Sequence, residues 1–331
     1  NMGRLRRLQQ LRQERKEQLK QIGSVKLEAE EADLRSKMVI EAKHINKSYG
    51  ERIIVKDFST RIIKGNKIGI VGPNGAGKTT IMKMLGGLVI PTKGSIRIYG
   101  ADDENGLAHA RSRMSFMIEV PYAKERLTAR ENLEKQRLQK GIPDKKRIDE
   151  VLEMVGLSDT GKKPVKNFSL GMRQRLGIAN ALMIKPEIMV LDEPVNGLDP
   201  EGIVEIRELL LRLNREEHIT ILISSHILSE LSLLCTDYLF INHGKILQSI
   251  SAEDLKKHCH EYYHISTDNN PLASVILQEK LGVTEFEIQK DGSIRLYEQL
   301  DNIYNVSKTL FENGVVPLKL NMNEANLEQY Y

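Results

Sequence analysis

The sequence predicts an α/β fold built on a buried, largely parallel sheet, with a charged helical subdomain set into it and a small α+β domain behind it. Three observations predict this. Apolar segments rich in β-branched residues, "KIGIVG" (67–72), "EIMVLD" (187–192) and "ITILIS" (219–224), read as strands, and helical patterns such as "GIVEIRELLLRLN" (202–214) alternate with them. That alternation is what buries a parallel sheet on both faces. Between about residues 105 and 165 the chain turns charged and helix-rich, and past residue 258 shorter patterns follow in the order βαββαβ.

The first 37 residues, rich in Leu, Gln, Arg, Lys and Glu, favour a charged helix broken near Gly23 and Ser24. Leu5, Leu8, Leu19 and Ile22 share a heptad frame that Arg12 and Arg15 interrupt, so a coiled-coil seam is a poor reading. Asn1 is not a natural start and "MVIEAKHINKSYG" from Met38 resembles one. The leader is therefore expected to be an appended segment or fusion, the alternative being a basic helix lying on anionic lipid or a partner. From Met38, "MVIEAKHI" and "IVKDFSTRII" read as strands punctuated by Gly. In the helix-rich insert, taken to span about 105–180, Thr128 and Glu131 have capping-box spacing at a helix start. The last part, 258–331, with an Asp291-Gly292 turn, is expected to be a ferredoxin-like accessory domain behind a main domain over 38–257.

Composition narrows the function classes. With 331 residues the chain has length to bury a real core. It holds Cys235 and Cys259 without metal-type spacing, so buried thiols in a reduced compartment are expected. The most apolar region, 219–241, is interrupted by His226, Glu230 and Asp237, and the basic opening residues have no apolar stretch behind them. Neither a membrane span nor a secretory signal is expected. The net charge of +4 lies within the leader, and residues 38–331 hold 39 basic and 39 acidic residues. The body thus offers no electrostatic argument for nucleic acid.

The chemistry is concentrated in short stretches. "GPNGAGKTT" follows a strand and opens a helix: Gly72, Gly75 and Gly77, with Asn74 and Ala76 between them, let backbone amides curl around phosphate oxygens. Lys78 adds a point charge, Thr79 offers a hydroxyl to Mg²⁺, and Thr80 continues the helix start. Asp192 and Glu193 end an apolar strand at the sheet edge where open α/β sheets bind ligands. Asp192 fits the Mg²⁺ shell and Glu193 a general base for water. "FSLGM" places Ser169, Gly171 and Met172 at a second phosphate-seeking helix start. One loop already cradles one nucleotide, so this second terminus suggests a nucleotide held by another protomer.

Across residues 38 to about 250 the chain resembles the nucleotide-binding subunit of an ABC transporter. "GPNGAGKTT" matches the Walker A loop, "FSLGM" the signature, "IMVLDE" Walker B, "GLD" ending at Asp199 the D-loop, and His226 the switch histidine. Tyr49 matches the aromatic that stacks on adenine. The resemblance implies a P-loop NTPase core, ATP with Mg²⁺, closure as a head-to-tail homodimer, and membrane permease subunits that hold the protein on the inner face of the cell membrane. It also implies that His226 contacts the γ-phosphate and that Ser169 serves the partner's nucleotide. Two departures narrow it further. Leu170 stands where the commonest signature has Gly, and Glu119 where the family normally has glutamine; with the C-terminal extension they resemble the lantibiotic-protection and bacitracin-resistance branch, which expels antimicrobial peptides. Glu119 is then expected to face the γ-phosphate and Mg²⁺, against the alternative of a solvated loop acid. The rival reading is a soluble ABC ATPase acting on ribosomes or nucleic acid. A cassette that only binds nucleotide is opposed by Glu193 and His226.

Overall fold

The computed structural model describes residues 37–119, 123–258, 262–298 and 302–323. The leader before Lys37, Cys259, and Val120, Pro121 and Tyr122 beside Glu119 lie outside the described residues.

Two sheets make the main domain. β1 (Met38–Tyr49), β2 (Arg52–Ile63) and β4 (Lys93–Ile98) form an antiparallel sheet in the order β2-β1-β4. The other sheet has six strands: β3 (Lys67–Val71), β5 (Met114–Met117), β6 (Ile188–Asp192), β7 (Thr220–Ser225), β8 (Asp237–Asn242) and β9 (Lys245–Ser251). Its order is β5-β6-β7-β3-β8-β9, parallel from β5 to β8 with β9 antiparallel at the edge. Asp192 pairs with Ser224 across β6 and β7, and Val71 with Ser225 across β3 and β7. This register brings the carboxyl ends of three strands to one line, so whatever follows each strand meets at one crevice.

Side chains alternate across a strand, and that alternation divides the core in two. Ile188 and Val190 of β6, Leu222 of β7, and Leu239 and Ile241 of β8 join Ile81, Met82 and Leu85 of α1 (Lys78–Leu85) and the antiparallel sheet. Met189, Leu191, Ile221, Ile223, Tyr238 and Phe240 point the other way. They pack with α3 (Ala129–Gln139), α4 (Lys146–Met154), α5 (Leu170–Leu182) and α6 (Pro200–Glu216). Burying each such aliphatic side chain contributes about 1.5–3 kcal/mol, so both layers hold the sheet in place.

The helix-rich stretch expected from about residue 105 needs one correction. It opens with α2 (Glu104–Ser112), capped by Asp103, and then with β5, the edge strand of the central sheet. The strand's four residues, Ser115 among three apolar ones, are too few for periodicity to separate strand from helix, so only partner β6 fixes them. The purely helical part starts at α3, where the expected capping box forms: Thr128 Oγ1 accepts from Glu131 N at 3.2 Å and Glu131 Oε2 accepts from Thr128 N at 2.7 Å. Two short helices, α7 (Leu228–Ser232) and α8 (Ala252–His258), complete the main domain.

The C-terminal part has the expected βαββαβ order: β10 (Tyr262–Thr267), α9 (Asn270–Leu281), β11 (Phe286–Ile288), β12 (Ile294–Leu296), α10 (Ile303–Glu312) and β13 (Pro317–Asn323). Its sheet runs β11-β12-β10-β13 with every neighbour antiparallel. Ile265, Leu277, Ile294, Leu296, Val306 and Leu310 bury a separate core. The Asp291-Gly292 turn forms as the sequence predicts, with Gly292 at φ 83° and Asp291 Oδ1 accepting from Ser293 N. Among the described residues, no helix is long and apolar enough to cross a membrane.

Candidate active site

The loop between β3 and α1 is shaped by contacts that only glycine allows. A Cβ on Gly72 would lie 2.2 Å from the Ile241 carbonyl oxygen. Gly77 caps α1 at φ 104°, where a Cβ would sit 2.9 Å from the Ile54 carbonyl oxygen. Pro73, Asn74 and Gly75 form the exposed tip, while Ala76, Gly77 and Lys78 are buried and Thr79 and Thr80 half-buried. The first amides of α1 open onto this concavity, so the loop is a cradle for phosphate oxygens. Lys78 Nζ donates to the Gly72 carbonyl at 2.6 Å and lies 3.1 Å from Glu193 Oε1.

The two acids at the end of β6 are held differently. Asp192 is buried, and its Oδ2 accepts from Thr79 Oγ1 at 2.7 Å while its Oδ1 accepts from Ser224 Oγ at 2.6 Å. Glu193 leaves the strand at φ 49°, the left-handed region, which turns its side chain back toward the loop. Its amide donates to Ser224 Oγ at 2.9 Å, and its Oε2 meets His226 Nδ1 at 2.8 Å. The structure thus gathers Lys78, Thr79, Asp192, Glu193 and His226 into one hydrogen-bonded group. Thr79 and Asp192 offer adjacent hard oxygens, the donor chemistry Mg²⁺ takes with one or two protein ligands, so these residues fit the ion.

Other expected site residues stand apart from this group. Ser169 caps α5, accepting from Met172 N at 3.2 Å, and Gly171 lies in the first turn. Asp199 caps α6, accepting from Gly202 N at 3.0 Å. The two stretches touch: a Cβ on Gly197 would meet Leu170 at 3.3 Å, and one on Gly171 would meet Leu198 at 3.9 Å. Tyr49 ends β1, 55% exposed as a residue, with Lys47 Nζ 4.8 Å from its ring centre. Among the described residues no hydrogen bond or ion pair joins Ser169, Met172, Asp199 or Tyr49 to the Lys78 group. Glu119 Oε1 is 2.5 Å from Lys83 Nζ, so its carboxylate is given to α1 one turn beyond Thr79 rather than to Thr79 or Asp192.

Three contributors had not been singled out from the sequence. Ser224 bridges Asp192 and Glu193. Gly244, in the β8–β9 turn, donates to the Ala76 carbonyl at 3.0 Å and braces the loop from behind. Lys83 holds Glu119. A serine ending an apolar strand and an "HGK" turn are signals, but weak ones until the strands are paired.

The ABC transporter family profile matches residues 55–196. The chain is 42% identical over 293 residues to the bacitracin transport ATP-binding protein BcrA of Bacillus licheniformis, covering 88% of this chain and 96% of the relative. The chain belongs to the ABC transporter ATP-binding proteins. This cassette is also 43% identical over 209 residues to the lantibiotic transport ATP-binding protein SrtF of Streptococcus pyogenes, covering 63% of this chain and 89% of that one. Among solved structures, the dimeric post-hydrolysis state of the cassette MJ0796 bound to ADP and Pi matches with a TM-score of 0.58 at 28% identity. That match spans 64% of this chain and 98% of the other. The cassette is accordingly an ATPase.

Proposed function

We propose that this cassette is the ATP-hydrolysing subunit of an exporter that expels a lantibiotic or related antimicrobial peptide from the bacterial membrane, protecting the cell. The observation that carries the reading is the 42% identity to a bacitracin transport ATP-binding protein along 96% of that protein's length. Two cassettes would close head-to-tail, each phosphate loop facing the Ser169 helix start of the other. Lys78 and the loop amides would bind the phosphates, with Tyr49 against the adenine ring. Thr79 and Asp192 would hold Mg²⁺, which supplies neutralisation of phosphate charge. Glu193 accepts the proton of the attacking water while His226 fixes its other oxygen.

Separate permease subunits would seat a helix in the groove of about 390 Å³ lined by Phe116 and Met117 of β5, Asn132 and Gln136 of α3, and Asn180 of α5. The cassette would then work at the inner face of the membrane. A soluble ATPase acting on ribosomes or nucleic acid is not favoured, because residues 38–331 carry balanced charge. The test is a deletion in the native host complemented with wild type or Glu193→Gln. Restored bacitracin or lantibiotic tolerance with wild type alone supports the reading. Unchanged tolerance on deletion to every such peptide, or full rescue by Glu193→Gln, would overturn it.

A further inference from the structure

Helix α1 carries two groups on one face. Thr79 and Lys83 are four residues apart, so their side chains project from the same stripe about 6 Å apart along the axis. Thr79 Oγ1 is bound to Asp192, and Lys83 Nζ to Glu119. Glu119 comes from the other side of the crevice: it follows β5 by two residues and stands at φ 65°. Glutamate rarely adopts that backbone conformation, and its side chain there meets Lys83. Lys83 is itself 31% exposed and Glu119 65% exposed, so the pair sits at the rim of the site, open to exchange of partners.

We infer that Lys83 is a positioning residue that holds the Glu119 carboxylate off the Thr79–Asp192 pair, so that Lys83 and a divalent cation compete for one carboxylate. The inference rests on the nucleotide-site reading above. Its physics is charge bookkeeping over one helical turn. Paired with an ammonium, the carboxylate presents little net field to a cation at Thr79 and Asp192. Unpaired, it adds a full negative charge about one turn away at the exposed rim of the site, and the cation binds more readily. Lysine suits the role because its compact charge on a flexible stem releases a partner easily.

The test titrates ADP into the full-length protein by calorimetry over a range of free Mg²⁺, for wild type, Lys83→Met, Lys83→Arg, Glu119→Gln and the Lys83→Met/Glu119→Gln double variant. Thermal melts run alongside, and Lys83→Gln serves as a second charge-removing variant. Lys83→Met and Lys83→Gln are expected to lower the Mg²⁺ concentration for half-maximal ADP affinity by roughly fivefold, the effect of a solvent-screened charge on a divalent ion at that range. Lys83→Arg keeps the wild-type midpoint. In the Glu119→Gln background, removing Lys83 shifts the midpoint by clearly less, because the lysine's own charge is lost but no carboxylate is released to the cation. A wild-type midpoint in both charge-removing variants, or the same shift with Glu119 already replaced, would overturn the inference while leaving the nucleotide site standing. Absence of any Mg²⁺-dependent ADP binding by wild type would overturn both.

Discussion

Lys78 Nζ lies 3.1 Å from Glu193 Oε1, an ion pair between the phosphate loop and the end of β6. The same carboxylate meets His226 through Oε2, while its buried Oε1 has the Lys78 ion pair and no hydrogen bond. Replacing Glu193 with Gln keeps the size and removes the ability to take a proton. Hydrolysis is expected to slow on the order of 10²-fold or more, the usual contribution of general-base assistance. ATP should then hold the dimer closed, seen as an ATP-dependent dimer in size-exclusion chromatography. Near-normal turnover without such dimers would reject the role.

Gly244 is expected to matter far more than its place in a hairpin turn implies. It sits at φ 75°, a Cβ there would lie 2.2 Å from the Ile54 carbonyl oxygen, and its own carbonyl accepts from Lys56 N at 2.8 Å. Gly244→Ala should cost about 2 kcal/mol or more of stability and weaken ATP binding, since the Ala76 carbonyl loses its brace. Gly50→Ala is the comparison, because Gly50 has φ 58° with nothing within 4 Å and should cost only about 1 kcal/mol. Equal melting temperatures and equal ATP affinities for the two variants would show that the brace does nothing.

Much of this site was legible because its signals are local. A glycine-rich loop between strand and helix, an Asp-Glu pair ending an apolar strand, and Thr128 with Glu131 each declare themselves within a few residues. The C-terminal order was legible for the same reason, through its turn at Asp291 and Gly292. What escaped depends on pairing across the chain. Ser224 gains meaning only when β7 lies beside β6, and Gly244 only when its turn meets the loop at Ala76. The Lys83–Glu119 pair joins residues 36 positions apart and redirects a carboxylate expected to point at phosphate. β5 is too short to carry a period, and the antiparallel order β2-β1-β4 is a long-range fact that no single strand encodes.

The leader is expected to be dispensable for catalysis. Every residue of the Lys78 group lies beyond Tyr49, and Lys37 is already tied to the main domain, its carbonyl accepting from Lys64 N at 2.8 Å. A chain beginning at Lys37 should therefore remain soluble, with ATP affinity and turnover within about twofold of the whole protein. Aggregation or loss of most activity on that truncation would assign the leader to the fold.

Ser224 offers the sharpest test of how the site is held. It is fully buried at the end of β7, directly opposite Asp192, and its hydroxyl serves both acids at once. As donor it satisfies Asp192 Oδ1, which leaves Oδ2 for Thr79; as acceptor it takes the Glu193 amide and so supports the left-handed turn at that residue. Ser224→Ala removes one oxygen and leaves two buried polar groups without a partner, at a cost of about 1–3 kcal/mol for each such group. Loss of packing is negligible, since serine and alanine differ by that oxygen alone. Stability should fall by roughly 2 kcal/mol after partial relaxation, and turnover at saturating ATP should fall on the order of tenfold because Asp192 and Glu193 lose their common anchor. Thermal melting and ATPase rate must be read together. A variant that melts lower yet turns over like wild type confines Ser224 to the fold, whereas wild-type values in both measurements would show that Asp192 and Glu193 are held by the backbone alone.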